Sequence, residues 1–118
     1  KGAQIVFNVT AAGPRPGVEE LIVKQTECRA AESIIYTASA NHAGKERTLS
    51  FQGHSTIAGP SLGRRSKIFA QSAYDEEIIM ATLNLESLEY SQSLFEVRKH
   101  INWKLIAREY AQLAGTDG

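Results

Sequence analysis

Cys28 is the only thiol in the chain and the first residue to weigh as a nucleophile. A nucleophilic cysteine needs a base within hydrogen-bond reach and an electropositive, partly open setting. Cys28 falls midway through a helical pattern, on the apolar spacing Leu21, Cys28, Ala31, Ile35, and no histidine lies near it in sequence. It is therefore expected to be a small buried hydrophobe. His42, His54 and His100 are separated by 12 and 46 positions, spacings that match no zinc signature. No metal site is expected. Arg64-Arg65-Ser66-Lys67 concentrates positive charge, but no glycine-rich loop leads from it into a helix, so a solvated hairpin turn is expected there rather than a phosphate site. Gly53-His54-Ser55 lacks the second glycine and the strand-to-helix turn of a nucleophile elbow, and a strand is expected to run straight through Ser55. Asn8-Val9-Thr10 fits the glycosylation pattern, but at the end of a buried strand and without a secretory leader the match is read as accidental. No residue in the chain is assigned a catalytic role, and no cofactor motif is present.

The composition places these residues in an ordinary globular chain. Thirteen Lys and Arg balance thirteen Asp and Glu. That balance gives no basic stripe for nucleic acid or an anionic membrane, and no net repulsion between copies. A single cysteine excludes an internal disulfide and fits a reducing compartment, so a cytoplasmic location is expected. No window is apolar enough for a membrane-spanning helix. Apolar strand-like sequence starts almost at once, by Gln4, which suggests a piece of a larger protein.

The elements follow from periodicity and breakers. Gln4–Val9 is a nearly continuous apolar run, the pattern of a strand buried on both faces. Two prolines and two glycines between Ala11 and Gly17 end it, and Pro16 stands at the entrance of a helix. The spacing predicts that helix over Val18–Ser33, with Glu19 and Glu20 suiting its positive end. A second strand is predicted over Ile34–Ala40, a turn at Asn41–Gly44, and a third strand over Leu49–Ala58 ended by Gly59-Pro60. Shorter strands are predicted over Ile68–Ala73 and Glu77–Leu83, joined by connections too short for crossover helices. A short helix is predicted over Leu85–Leu94, and the apolar positions Leu94, Val97, Ile101 and Leu105 extend toward Tyr110. Ala114–Gly118 has little reason to order. The expected fold class is α+β: a mixed, largely antiparallel sheet with helices on one face. A first strand buried on both sides also needs neighbours that this chain does not obviously supply.

Five segments, in order, resemble the carbon–nitrogen hydrolase (nitrilase) superfamily. Gly2-Ala3-Gln4-Ile5-Val6-Phe7-Asn8 is similar to the family's strand that follows the helix behind the nucleophile, and Arg29-Ala30-Ala31-Glu32-Ser33 to its "R-A-x-E-[NS]" helix end. Asn41-His42-Ala43-Gly44 resembles its "N-x-x-G" turn, and Phe51–Pro60 its "F-x-G-x-S-x-I-x-x-P" strand. Asp75–Ile79 with Leu83-Asn84-Leu85 resembles its closing strand. Ser61–Lys67 departs from the family by being longer than its usual turn. The tail with Arg98, His100 and Tyr110 is closest to the amidase and carbamoylase branches.

The resemblance implies the C-terminal half of a four-layer αββα sandwich spanning residues 1–113, with 114–118 as a disordered tail. It implies an enzyme that cleaves non-peptide C–N bonds of an amide, carbamoyl amide or nitrile. A cysteine would form a thioester, with a glutamate as base and a lysine at the oxyanion. In the family pattern these three lie N-terminal to Gly2, so this chain alone is expected to be inactive. It further implies that Asn8, Val9 and Thr10 line the substrate pocket. Leu21, Lys24, Gln25 and Cys28 would lie in a helix-to-helix homodimer interface. The competing expectation is a non-catalytic binding or assembly subunit that keeps the half fold; a third is an independent small α–β domain.

Overall fold

The computed structural model describes residues 2–63 and 65–116. Lys1, Arg64, Asp117 and Gly118 lie outside the described residues. Six strands and four helices follow one another: β1 Ile5–Thr10, α1 Val18–Ser33, β2 Tyr36–Asn41, β3 Ala43–Glu46, β4 Leu49–Gln52, β5 Thr56–Pro60, β6 Ser66–Gln71, α2 Leu85–Leu94, α3 Val97–His100 and α4 Trp103–Thr116. The main sheet has the order β1-β2-β5-β6. β1 and β2 are parallel, joined through α1 as a crossover unit, and β2-β5 and β5-β6 are antiparallel. The sheet is thus mixed and largely antiparallel, as the pattern implied.

Helix α1 begins where Gly17 takes a left-handed conformation (φ 84°) and ends where Ile34 does so (φ 49°). It buries Ile22, Thr26 and Ala30. Small residues let it sit close to the sheet: Ala58 on β5 is fully buried, and the Thr37 hydroxyl on β2 donates 2.7 Å to the Thr26 carbonyl. The buried stripe is therefore rotated from the expected one. Leu21 and Cys28 are exposed, which corrects the reading of Cys28 as a buried hydrophobe. Threonine and alanine face the sheet because a close helix–sheet contact excludes larger chains, and a hydrophobicity pattern does not register that.

Helix α2 docks at the end of the sheet where β2 begins. Its capping residue Asn84 accepts from the Ser87 amide at 3.0 Å, and the Asn84 carbonyl accepts 2.7 Å from the Tyr36 hydroxyl. Gln92 Nε2 donates to the Ile34 carbonyl at 2.9 Å, and Leu88 is completely buried. The two helix boundaries expected at 18–33 and 85–94 are the ones found.

Several expectations are corrected. The strand expected over Leu49–Ala58 is two strands, because Gly53 (φ 62°) and His54 (φ 56°) are consecutive left-handed residues that turn the chain. It does not run through Ser55. β4 instead pairs with β3 as a separate two-stranded sheet, so His42–Gly44 enters a hairpin rather than a turn. Gly59-Pro60 belong to the strand instead of following it, Pro60 being the last residue of β5 and pairing with Ser66, whose strand begins earlier than expected. Glu77–Leu83 forms no strand, since it has no neighbour to pair with here, and Ile78 is 90% and Met80 85% exposed. The apolar positions after Leu94 fall on two separate helices, with Asn102 capping α4 through the Leu105 amide (3.0 Å). α4 continues through Ala114 to Thr116, where little order was expected.

β1 is also not buried on both faces. Phe7 is 71% and Val9 78% exposed, on the face opposite Asn8. The molecule is a slab of 47 × 46 × 21 Å with a radius of gyration of 17.2 Å. A compact domain of this length has a radius of about 13.5 Å. No helix among the described residues is long and apolar enough to cross a membrane.

Candidate functional site

The parallel pairing of β1 and β2 brings two carboxyl ends together. Asn8 lies beside Ser39, Val9 beside Ala40 and Thr10 beside Asn41. The chain is held there by polar contacts. The His42 amide donates to the Thr10 carbonyl at 2.9 Å, and the Ala12 amide donates to Asn41 Oδ1 at 2.9 Å. The Asn41 amide donates to Ser55 Oγ at 2.9 Å, and Asn41 Nδ2 to the Gly53 carbonyl at 2.8 Å. Beneath them, the Thr56 amide donates to Ser39 Oγ at 3.0 Å. Ser39, Asn41 and Thr56 are buried, and such a polar row is tolerated only because each member is satisfied. Open α/β sheets bind ligands outside the carboxyl ends of parallel strands, and this is that end.

A cleft of about 430 Å³ opens between β1, β2 and α1. Asn8 lines it together with Val6, Thr37, Thr26, Gln25 and Arg29; Val9 and Thr10 do not. Strand alternation turns Val9 to the face opposite Asn8, whereas Thr10 shares the face of Asn8 but lies beyond the residues that line the cleft.

Gly53 and His54 form the turn to which the Asn41 side chain is bonded at this end. A Cβ on Gly53 would stand 2.4 Å from the Ala73 carbonyl oxygen, so only glycine fits that turn. His54 Nδ1 lies 2.6 Å from the Gln52 carbonyl, which can only accept, so the proton sits on Nδ1. Its ring meets Tyr74 edge-on at 4.7 Å. His42 packs on Phe51 at 4.1 Å, with Nε2 3.4 Å from Glu46.

Cys28 and these two histidines are kept apart by topology. α1 returns the chain to the start of β2, and Cys28 follows Thr26, whose carbonyl binds Thr37 near that start. His42 and His54 lie at the other end of β2. No thiol–imidazole pair arises from them. Among the described residues there is no group of three or more His, Cys, Asp or Glu that could hold a metal ion.

The four interface candidates, Leu21, Lys24, Gln25 and Cys28, all sit on the exposed side of α1. Lys24 reaches Glu20 at 2.5 Å, and this hydrogen bond, with the charge of Lys24, holds the Glu20 carboxyl below its usual range. Of the basic turn, Arg65 closes a bend with Leu62 (3.2 Å), Ser66 Oγ donates to Glu27 at 2.9 Å, and Lys67 lies 5.4 Å over the Phe69 ring. Arg64 is outside the described residues. Neither Asn41's double hydrogen bond nor the left-handed turn at Gly53-His54 was expected from the sequence. The "N-x-x-G" segment pointed at Asn41 without saying what it binds.

The carbon-nitrogen hydrolase family model matches residues 1–91. No curated protein matches the chain. Among solved structures, the chain is similar to an amidase from Nesterenkonia sp. AN1. A glutamine-for-glutamate variant with the acetamide moiety of fluoroacetamide added at its active-site cysteine is 28% identical at a TM-score of 0.55, covering 86% of this chain and 35% of that one. An alanine-for-cysteine variant in complex with butyramide is 27% identical at 0.55, with coverages of 86% and 35%. A serine-for-cysteine variant, described as belonging to the nitrilase superfamily, is 26% identical at 0.54, with coverages of 85% and 36%. The chain therefore spans about a third of the length of these amidases.

Proposed function

Because the chain belongs to the carbon–nitrogen hydrolase family, we propose that it is the C-terminal portion of an amidase-type enzyme acting on small amides, carbamoyl amides or nitriles. In this reading it supplies one αβ half of the sandwich, part of the pocket wall and a dimer face. The observation that supports it best is the parallel β1–β2 pair, whose carboxyl ends bring Asn8, Val9 and Thr10 to the tied polar cluster around Asn41.

In such an enzyme a cysteine thiolate adds to the amide carbonyl and the tetrahedral intermediate expels ammonia after protonation. Water then releases the thioester as a carboxylic acid and restores the thiol. The cysteine, glutamate and lysine of that reaction would lie in sequence preceding this chain's first strand. This chain's own groups would shape the pocket. Leu21, Lys24, Gln25 and Cys28 would meet their counterparts across a two-fold axis, an arrangement their common exposed stripe supports. The location would be cytoplasmic.

The test is ammonia release from butyramide and acrylamide by the natural protein that carries this sequence. Activity lost on thiol alkylation, with none in residues 1–118 alone, is the expected result. Thiol-dependent release from residues 1–118 alone, abolished by Cys28→Ser, would sink the placement of the nucleophile. A natural protein that binds amides without turning them over would favour the non-catalytic binding reading.

A further inference from the structure

At the carboxyl end of β2 a single side chain ties two segments far apart in sequence. Asn41 is 9% exposed, accepts at Oδ1 from the Ala12 amide (2.9 Å), and donates from Nδ2 to the Gly53 carbonyl (2.8 Å). Its own amide donates to Ser55 Oγ (2.9 Å). We infer that Asn41 is a positioning residue for the pocket wall: it fixes the strand exit after Asn8–Thr10 against the left-handed turn at Gly53-His54. The inference rests on the proposed role of Asn8–Thr10.

The geometry leaves little freedom at either end of the tie. Ala12 is two residues beyond Thr10, whose carbonyl accepts from the His42 amide, so any shift of Ala12 is passed to the wall. The Gly53 turn is held on its other sides by its amide on the His42 carbonyl (3.1 Å) and the His54 amide on the Ala73 carbonyl (3.0 Å). It is the anchored partner, and the loop from Ala11 to Gly17 is the one that needs holding. A primary amide presents an acceptor and a donor at this separation at every pH, which an ionised carboxylate does not. Aspartate offers two acceptors when ionised, serine is too short to span both, and each leaves a buried backbone group unpaired.

The two candidate variants separate positioning from folding. Asn41→Asp restores the missing donor when its carboxyl is protonated, and burial beside the Gly53 carbonyl favours that neutral form. Asn41→Ser cannot be restored by acid. Ionisable side chains surround the tie, His42 and Glu46 at the hairpin, His54 in the turn, Glu76 against Gly44 and Glu77 on the Ala73 amide, so each rate is taken as a ratio to the unsubstituted protein at the same pH. The measurement is kcat/KM on butyramide by the natural protein from pH 5 to 8, with amide hydrogen exchange at Ala12 and Leu88.

For Asn41→Asp the ratio is expected to fall on the order of 100-fold at pH 8, mainly in kcat, and to recover as the pH drops. For Asn41→Ser it stays low at every pH. Ala12 exchange rises in both at pH 8 while Leu88 stays protected. A ratio near one at pH 8 overturns the inference, and so does a loss of protection spread equally over Ala12 and Leu88 with no recovery in acid. If the unsubstituted protein turns over neither butyramide nor acrylamide, the amidase reading fails by itself. Exchange at Ala12 then decides alone, and unchanged protection in Asn41→Asp overturns the tie. Should Asn41→Asp not fold, Asn41→Ser carries the same exchange test.

Discussion

Tyr36 lies across Gly59, and the pair shows how one residue can demand the absence of a side chain at another. A Cβ on Gly59 would stand 2.1 Å from Tyr36 Cδ1 and 2.6 Å from Cε1. The ring cannot swing away freely: its hydroxyl is bonded to the Asn84 carbonyl at 2.7 Å, and Phe69 meets it edge-on at 5.8 Å. Gly59→Ala is expected to lower stability by about 1–3 kcal/mol through overpacking, read as a lower urea midpoint in circular dichroism. A midpoint within error of the unsubstituted chain would show that the ring can relocate. Glu20 gives the opposite lesson. Its lowered pKa comes from an exposed contact with Lys24, so whatever it contributes is present above the ordinary carboxylate pKa and lost as the pH falls through the lowered one. Solvent and salt screen it, and it decides nothing about the fold.

At the scale of elements, α2 is the piece that closes the end of the sheet, and Leu88 is its one fully buried large side chain. Leu88→Ala is expected to cost about 2–5 kcal/mol, measured by thermal or urea unfolding. A loss below about 1 kcal/mol would mean that α2 is only loosely attached. The boundaries of α1 and α2 were legible in the sequence because their punctuation is local: Pro16-Gly17 before one, Asn84 before the other. What defeated the reading of Leu49–Ala58 was also local but silent. Gly53 signals a possible break, whereas His54 in a left-handed conformation carries no comparable signal. β3 was missed because Ala43-Gly44-Lys45-Glu46 has poor strand propensity and exists through its pairing with β4. Of the candidate site the sequence pointed only to the segment Asn8–Thr10, of which Asn8 alone lines the cleft. The Asn41 tie joins positions 29 and 12 residues apart, and periodicity says nothing about hydrogen bonds at that range.

The whole molecule is more spread than its length requires. Phe7 and Val9 on β1, Ile78 and Met80 on the segment before α2, and Trp103 and Tyr110 on α4 all leave apolar surface to solvent. Exposed apolar surface of that kind favours association. Residues 1–118 alone are expected to sediment well above 12.9 kDa, with the shift reduced by the double change Phe7→Ser and Val9→Ser. A single sharp monomer species would show that these faces are tolerated in water.

The β3–β4 hairpin leaves the main sheet after Asn41 and returns to it at Thr56, and its tip carries Lys45 and Arg47, both exposed, with Arg47 at φ 56°. The elements before the hairpin are β1, α1 and β2, and those after it are β5, β6 and the later helices. A brief trypsin digestion is expected to nick this tip first. The cut should yield a two-piece protein whose halves stay together through the β2–β5 ladder and the seating of α1 on β5. Fragments that co-elute on gel filtration and part only in denaturant would make the tip a natural place to split or permute the chain. Fragments that part at once would show that the covalent link through the hairpin is what keeps β2 on β5.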